Sequence, residues 1–258
     1  MLKTLISTIF LLFLSCNSYA EKLTVGFAGS RAPWVIPENQ SGILIELISE
    51  AMEPLGYEIN KVFYPYVRRL KSYQAERVDV ICDINQININ NSNLSGHFSG
   101  IVYAYENYAY SLKKNDLILT KINALRNYSI LSWQGAKHKL GRDYELMAAN
   151  NPLYSESHDQ KLQLKMLFKE RVEVIQIDKY IFEYYRSKIA EDGEIDTNIK
   201  VDHFSLFGKN PNGFLFHSLK ARNDFVKQIA VMKADGRYNK IFNRYKITSV
   251  CVNGCEIE

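Results

Sequence analysis

Two rhythms of apolar and polar positions run along this chain. Over residues 43–55 the apolar positions Leu44, Leu47, Ile48, Ala51 and Leu55 share one face at helical spacing, and Gly56 ends the helix as a C′ glycine. Residues 22–27 alternate in part and predict a first strand, residues 28–34 are a loop of turn formers, and residues 57–63 predict a second strand. Pro65 breaks that strand. Val67, Leu70 and Tyr73 then recur at helical spacing as far as Glu76, and residues 78–82 form a short apolar run bounded by polar residues. Such a run is the pattern of a buried parallel strand. A strand–helix–strand unit of this kind packs as a right-handed crossover, and ligands of open α/β sheets lie beyond the carboxyl ends of the strands. That places Tyr64, Tyr66, Arg68, Arg69 and Asp83 near a cleft. The plainer alternative leaves both arginines solvated on the helix and Asp83 capping the next element.

Further on, residues 86–96 are polar and Asn-rich and predict a loop. Residues 105–113 read as a long strand, 128–132 as a strand with a turn at 133–136, and 140–149 and 158–170 as helices. Residues 171–178 then repeat the earlier plan, a basic turn followed by a Val- and Ile-rich strand ending in Asp178. A helix over 181–189, an extended return over 201–208, a strand over 214–217 and helices over 221–234 and 239–245 complete the chain. The pattern is that of two α/β halves joined by extended crossings.

The start of the chain changes the picture of where the protein works. Met1-Leu2-Lys3 is a short positive opening, residues 5–14 are apolar, and Ser18-Tyr19-Ala20 is a small-x-small cleavage site. This is the pattern of a signal peptide, residues 1–20, cleaved after Ala20; its apolar run is about half of the ~20 residues a membrane span needs. Export to the periplasm is expected, with lipid anchoring at Cys16 as the alternative, because Phe13-Leu14-Ser15-Cys16 is a poor lipoprotein box. In an oxidising compartment Cys251 and Cys255, which flank Val-Asn-Gly, read as a local disulfide, and Cys82 reads as a small core residue. Two cysteines without nearby histidines make a poor zinc site, and neither a metal nor a cofactor is expected. The formal charge of +4, from 32 basic and 28 acidic residues, is spread without long blocks. This is not a nucleic-acid-binding composition.

Laid in order, the pieces resemble the family 3 extracellular solute-binding proteins, the periplasmic receptors for polar amino acids and related solutes. The features that carry the resemblance span essentially all of the mature chain. They are Leu23-Thr24-Val25-Gly26, Pro33-Trp34, Gly42 opening a helix that closes at Leu55-Gly56-Tyr57, and Tyr64-Pro65-Tyr66-Val67-Arg68-Arg69-Leu70. Val78-Asp79-Val80, His97-Phe98-Ser99, Val172-Glu173-Val174-Ile175-Gln176-Ile177-Asp178 and the terminal Asp235-Gly236, Ile241 and Tyr245 follow. The resemblance implies an α/β, two-lobed periplasmic-binding-protein-like fold of type II, with two hinge strands between lobes that close over a ligand. Lobe 1 would combine residues 21–107 with 205–247, lobe 2 would be 108–204, and 248–258 a C-terminal tail; the hinges would lie near 108–112 and 201–205. A monomer is implied, binding a small polar solute and serving an ABC permease or a membrane sensor.

The site is carried over residue by residue. Trp34 stands where the family places an aromatic that stacks on the ligand; its alternative is packing of a loop. The family's Thr-x-x-Arg pattern, whose arginine forks onto the ligand carboxylate, is absent from residues 85–94, which contain no arginine. In lobe 2 the family's Gly-Ser/Thr-Thr turn is replaced by Gly135-Ala136-Lys137, which keeps backbone N–H groups for an anion but lacks the hydroxyls. Asp178 matches the acidic residue that pairs with the ligand's α-amino group, or else caps a helix. A divergent subgroup keeps the Tyr-Pro-x-x-Arg-Arg-like segment without the amino-acid signature, and this chain looks similar to it. Arg68 or Arg69 would then replace the lost fork, beside Tyr66 and Asp83, with Lys137 adding charge from lobe 2.

Two other readings stay open. The same fold hosts enzymes such as a dehydratase, yet His97, His138, His158, His203 and His217 are scattered without a nucleophile–base pairing, which leaves Glu106 and Asp83 as the lobe 1 acids to watch. A receptor-like fold acting through protein contacts, without a small ligand, is the other.

Overall fold

The computed structural model of the protein describes residues 20–193 and 195–247, with Tyr66 described by its backbone alone. Most of the expected leader, Cys16, Cys251, Cys255 and the 248–258 tail lie outside the described residues. In chain order the first part contains β1 (Glu21–Ala28), α1 (Ile43–Met52), β2 (Tyr57–Tyr64), α2 (Tyr66–Gln74), β3 (Val80–Ile84), α3 (Gln86–Asn91) and β4 (His97–Phe98). The long β5 (Tyr103–Leu112) leads on to β6 (Ile130–Trp133), α4 (Ala136–Lys139), α5 (Arg142–Ala149), β7 (Tyr154–Ser157), α6 (Gln160–Phe168), β8 (Val174–Asp178) and α7 (Lys179–Asp192). The chain returns through β9 (Val201–Phe204) and β10 (Lys209–Phe216) to α8 (Leu219–Ala234) and α9 (Arg237–Arg244).

The strands form one curled array in the order β2-β1-β3-β10-β5-β8-β6-β7, with β4 on β10 and β9 on β5. Within each half the inner strands are parallel, β2 and β3 flanking β1 and β7 and β8 flanking β6. Both Val- and Ile-rich strands, β3 and β8, are buried along their whole length, including their polar residues Asp83, Gln176 and Asp178. The halves meet on β5. Its residues Tyr103 to Glu106 pair with β10, and Asn107 to Ser111 pair with β8. The partner exchange thus lies just ahead of the expected hinge at 108–112, and the return crossing runs through 205–208, where Gly208 takes a positive φ of 67°. One apolar cluster runs through both halves, from Val25 and Leu47 in the first to Ile175 and Leu164 in the second.

Local chemistry explains why the elements start where they do. Helix α1 has no side-chain cap; the carbonyls of Pro33 and Trp34 accept the N–H groups of Ile43 and Leu44, at 2.9 and 3.0 Å. Gly42, at φ 127°, permits this close approach, because a Cβ there would lie 2.7 Å from the Trp34 carbonyl oxygen. Asp178, Asp159 and Ser218 cap α7, α6 and α8 by accepting backbone N–H groups. One expectation is corrected: residues 86–91 of the predicted Asn-rich loop form α3. Asn85 accepts the Asn88 N–H as its N-cap, and the buried Ile89 anchors the turn to the core, which outweighs the weak helix propensity of asparagine.

Candidate ligand-binding site

A cleft of about 740 Å³ opens between the two halves, at the carboxyl ends of β1, β3, β6 and β8. Its first wall begins with Arg31, in the loop after β1. The Arg31 guanidinium donates to Asp83 Oδ2 at 3.0 Å and to the Tyr105 hydroxyl at 3.3 Å, and it remains 36% exposed toward the cleft. The Asp83 carboxylate raises the Arg31 pKa against the opposing effect of burial, so the positive charge is permanent. Asp83 itself adopts a positive φ of 57°, a conformation that aspartate tolerates better than most residues. From behind, the fully buried Arg69 donates to the Asp83 carbonyl at 3.2 Å and reaches Asp83 Oδ2 at 3.5 Å. Arg69 is therefore a strut that fixes Asp83, and Asp83 aims Arg31.

The opposite wall carries Trp133 at the end of β6, with Lys139 5.9 Å from its ring. Partial desolvation, together with the nearby charge of Arg31, lowers the Lys139 pKa. Asp178 closes the floor. Its Oδ1 accepts from Trp34 Nε1 at 3.2 Å and from the backbone N–H groups of Tyr180 and Ile181, and its Oδ2 accepts from the Glu106 N–H at 2.9 Å. Burial outweighs these four donors and pushes the Asp178 carboxyl up to about 6. Asparagine amides supply much of the remaining polar surface, from Asn85 and Asn88 on one side to Asn107, Asn210 and Asn212 at the crossings.

The structure sorts the residues singled out from sequence. Asp83 and Asp178 both line the cleft. Trp34 lies behind it, fully buried, with ring centroids 5.0 Å from Tyr103, 4.8 Å from Tyr105 and 5.4 Å from Tyr180. Arg68 is exposed on α2, its guanidinium 5.9 Å from the Tyr64 ring, and does not line the cleft; Tyr66 begins the same helix. At the turn of Gly135, Ala136 and Lys137, Glu156 accepts the N–H groups of Gly135 and Lys137 at 2.7 and 2.9 Å. Burial opposes ionisation of Glu156, but these donors hold its carboxyl below the usual range. The protein's own carboxylate thus occupies the donors that the family resemblance assigns to a ligand anion.

Arg31, Tyr105 and Trp133 were not read from the sequence as cleft residues. Arg31 had a usable signal, since it follows the carboxyl end of the first strand just as Asp83 closes the third. Among the described residues no group of three His, Cys, Asp or Glu side chains converges to hold a metal ion.

Neither a protein-family profile nor a curated protein sequence matches the chain. Solved structures do. The ligand-binding core of GluR0 in complex with L-glutamate matches at 12% identity and a TM-score of 0.66, over 88% of this chain and 98% of that one. An ancestral cationic amino acid solute-binding protein matches at 15% identity and a TM-score of 0.67, over 88% of this chain and 96% of that one. The chain has the periplasmic-binding-protein fold. A histidine kinase sensor domain with similarity to periplasmic binding proteins shares it at 14% identity and a TM-score of 0.62, over 88% of this chain and 96% of that one. At these identities the likeness is one of fold.

Proposed function

We propose that the protein is an exported solute receptor that captures a small polar solute bearing an anionic group between two closing lobes and presents it to an ABC permease or a membrane sensor. The observation that carries this reading is the Arg31 guanidinium, held toward the cleft by Asp83 and Tyr105. A guanidinium fixed by a carboxylate on one side and open on another is pre-organised for a ligand carboxylate. The exchange of strand partners at Glu106 and Asn107 supports a division into lobe 1, residues 21–107 with 205–247, and lobe 2, residues 108–204. Asp83 and Arg69 act in this reading as positioning residues for Arg31, while Trp34 and Asp178 join the lobes behind the solute.

Thermal unfolding tests it, using protein refolded from denaturant to remove co-purifying solute. Amino acids, short peptides, polyamines, organic acids and sugars form the panel. A solute that binds only the folded state, at 100 times its Kd, adds about 2.7 kcal/mol. The expected result is such a shift with an anionic or zwitterionic solute, lost in Arg31→Ala, with no chemical turnover. A shift retained in full by Arg31→Ala would remove the basis of the assignment, and silence across the panel would favour a role through protein contacts.

A further inference from the structure

The end of β3 and the start of β5 hold Arg31, and the same two places hold an asparagine. Arg31 rests on Asp83, near the end of β3, and on Tyr105 of β5. Asn210, on the return strand β10, is the register partner of Tyr105, and its side chain meets that of Asn85, just beyond β3. Side chains directly opposite in an antiparallel pair share one face, about 5 Å apart. Arg31, Asp83, Asn85, Tyr105 and Asn210 all line the cleft. Arg31 and Asn210 therefore share their supports, although one comes from the loop after β1 and the other from the return crossing.

Hydrogen bonds decide which atom Asn210 presents. The Asn85 side-chain oxygen is committed, because it accepts the Asn88 N–H at 2.9 Å as the N-cap of α3. Its amide nitrogen is therefore the donor in the 3.2 Å contact with Asn210 Oδ1. With its oxygen held by Asn85, Asn210 keeps a nitrogen with donors to give. Among the described residues nothing accepts from Asn210 Nδ2. The neighbouring amide on the same strand, Asn212, already donates its Nδ2 to the Asn210 carbonyl at 3.0 Å. The wall thus offers a guanidinium and a neutral N–H donor of fixed sense, raised on common supports. A carboxylate is acceptor-only and takes both without a proton of its own facing a donor.

From this we infer that Asn210 is a specificity-determining residue of the cleft, its Nδ2 donating to the carboxylate that Arg31 binds, and that Asn85 is the positioning residue that fixes the sense of the Asn210 amide. The inference rests on the receptor reading above and adds a second donor to its anion site.

Isothermal titration calorimetry on the refolded protein tests it with three carboxylate probes, succinate, L-glutamate and D-gluconate. The tightest binder of the three is carried into the variants. Asn210→Ala is expected to weaken it about tenfold or more, as loss of a hydrogen bond to a charged group does, with unchanged circular dichroism. Asn85→Ser keeps an oxygen to cap α3 but is too short to hold Asn210, and is expected to weaken the same probe about threefold, the low end for a neutral hydrogen bond. In the double variant Asn85→Ser has nothing left to position, so no further loss is expected. Gln86→Ala, on the same helix but away from the cleft, should bind as the wild type does. In side-chain amide NMR spectra, the pair of signals missing from Asn210→Ala is expected to shift when the probe is added to the wild type. Unchanged affinity in Asn210→Ala, or an unshifted Asn210 pair, overturns the inference and leaves the receptor reading standing, since the probe still binds. Equal losses from Asn85→Ser with and without Asn210 overturn the positioning role. If none of the three probes binds, the inference falls, and the receptor reading falls with it only if no solute of the wider panel shifts unfolding.

Discussion

Asp178 shows how one side chain can cap a helix and join two parts of the fold at once. It caps α7, and it ties Trp34 and the β5 backbone to the second half of the molecule from a site that is 4% exposed. Its carboxyl rises from the ordinary 3.8 to about 6, so between those values the folded protein binds a proton that the unfolded chain has released. Stability from this group is therefore fully present below about pH 4 and is lost as pH rises through about 6. The rise corresponds to about 3 kcal/mol. In Asp178→Asn the group no longer titrates. The unfolding free energy of the wild type minus that of the variant, from urea titrations at pH 4 to 8, is expected to fall across the lower half of that range and level off above about pH 7. A flat difference would mean that Asp178 titrates alike in both states. At this scale the sequence was legible in part. It marked Asp83 and Asp178 as strand-end acids, and both reach the cleft. It could not decide which tryptophan lines the cleft, because Trp34 is drawn behind it by four aromatic neighbours on distant segments, while Trp133 ends a short strand and stays half-buried.

Elements with strong periodicity were legible nearly to the residue: β2, β5, β8 and α8 stand where apolar spacing puts them, whereas α1, expected to run to Gly56, ends at Met52 and Gly56 closes a separate 3-10 turn over Glu53–Leu55. Those that depend on caps or on distant partners were not. Helix α3 exists through Asn85 and Ile89, and β7 gains its identity from pairing with β6, since its residues, exposed at the centre and half-buried at the ends, show no alternation to predict a strand. Strand β10 begins at Lys209, ahead of the apolar run, because its polar start pairs with β5. At the join the register shifts between Gly213 and Phe214. A Cβ on Gly213 would lie 2.1 Å from the Gly100 carbonyl oxygen and 2.6 Å from Ser99 Oγ. Because the first of these contacts is backbone, it cannot be relieved by a rotamer change. Gly213→Ala is expected to destabilise the fold by about 3 kcal/mol, at the upper end of overpacking effects. Gly29→Ala, where an added Cβ meets nothing within 4 Å, should stay within about 0.5 kcal/mol. Urea midpoints of the two variants check the pair; equal midpoints would show that the β10 join can widen at little cost.

For the whole molecule, the question is whether two halves with their own parallel strands behave as two units. Three features bind them. Strand β5 is shared, pairing with β10 and then with β8 without interruption. The Trp34 indole donates across to Asp178, and its ring packs edge-on against Tyr180 from one half and Phe242 from the other. The largest apolar cluster runs through both halves instead of stopping at the crossing. Unfolding one half alone would expose the apolar surface of Trp34, Tyr105 and Tyr180 and leave Asp178 without two of its donors, a penalty that couples the halves. Calorimetric unfolding should accordingly give a single transition whose van't Hoff and calorimetric enthalpies agree, although the cleft separates most of the remaining surface. A solute bridging Arg31 on one wall and Lys139 on the other should move that transition as a whole without splitting it. Two resolved transitions, with the solute shifting one of them, would place the coupling in β5 alone and reduce the Trp34–Asp178 contact to local packing.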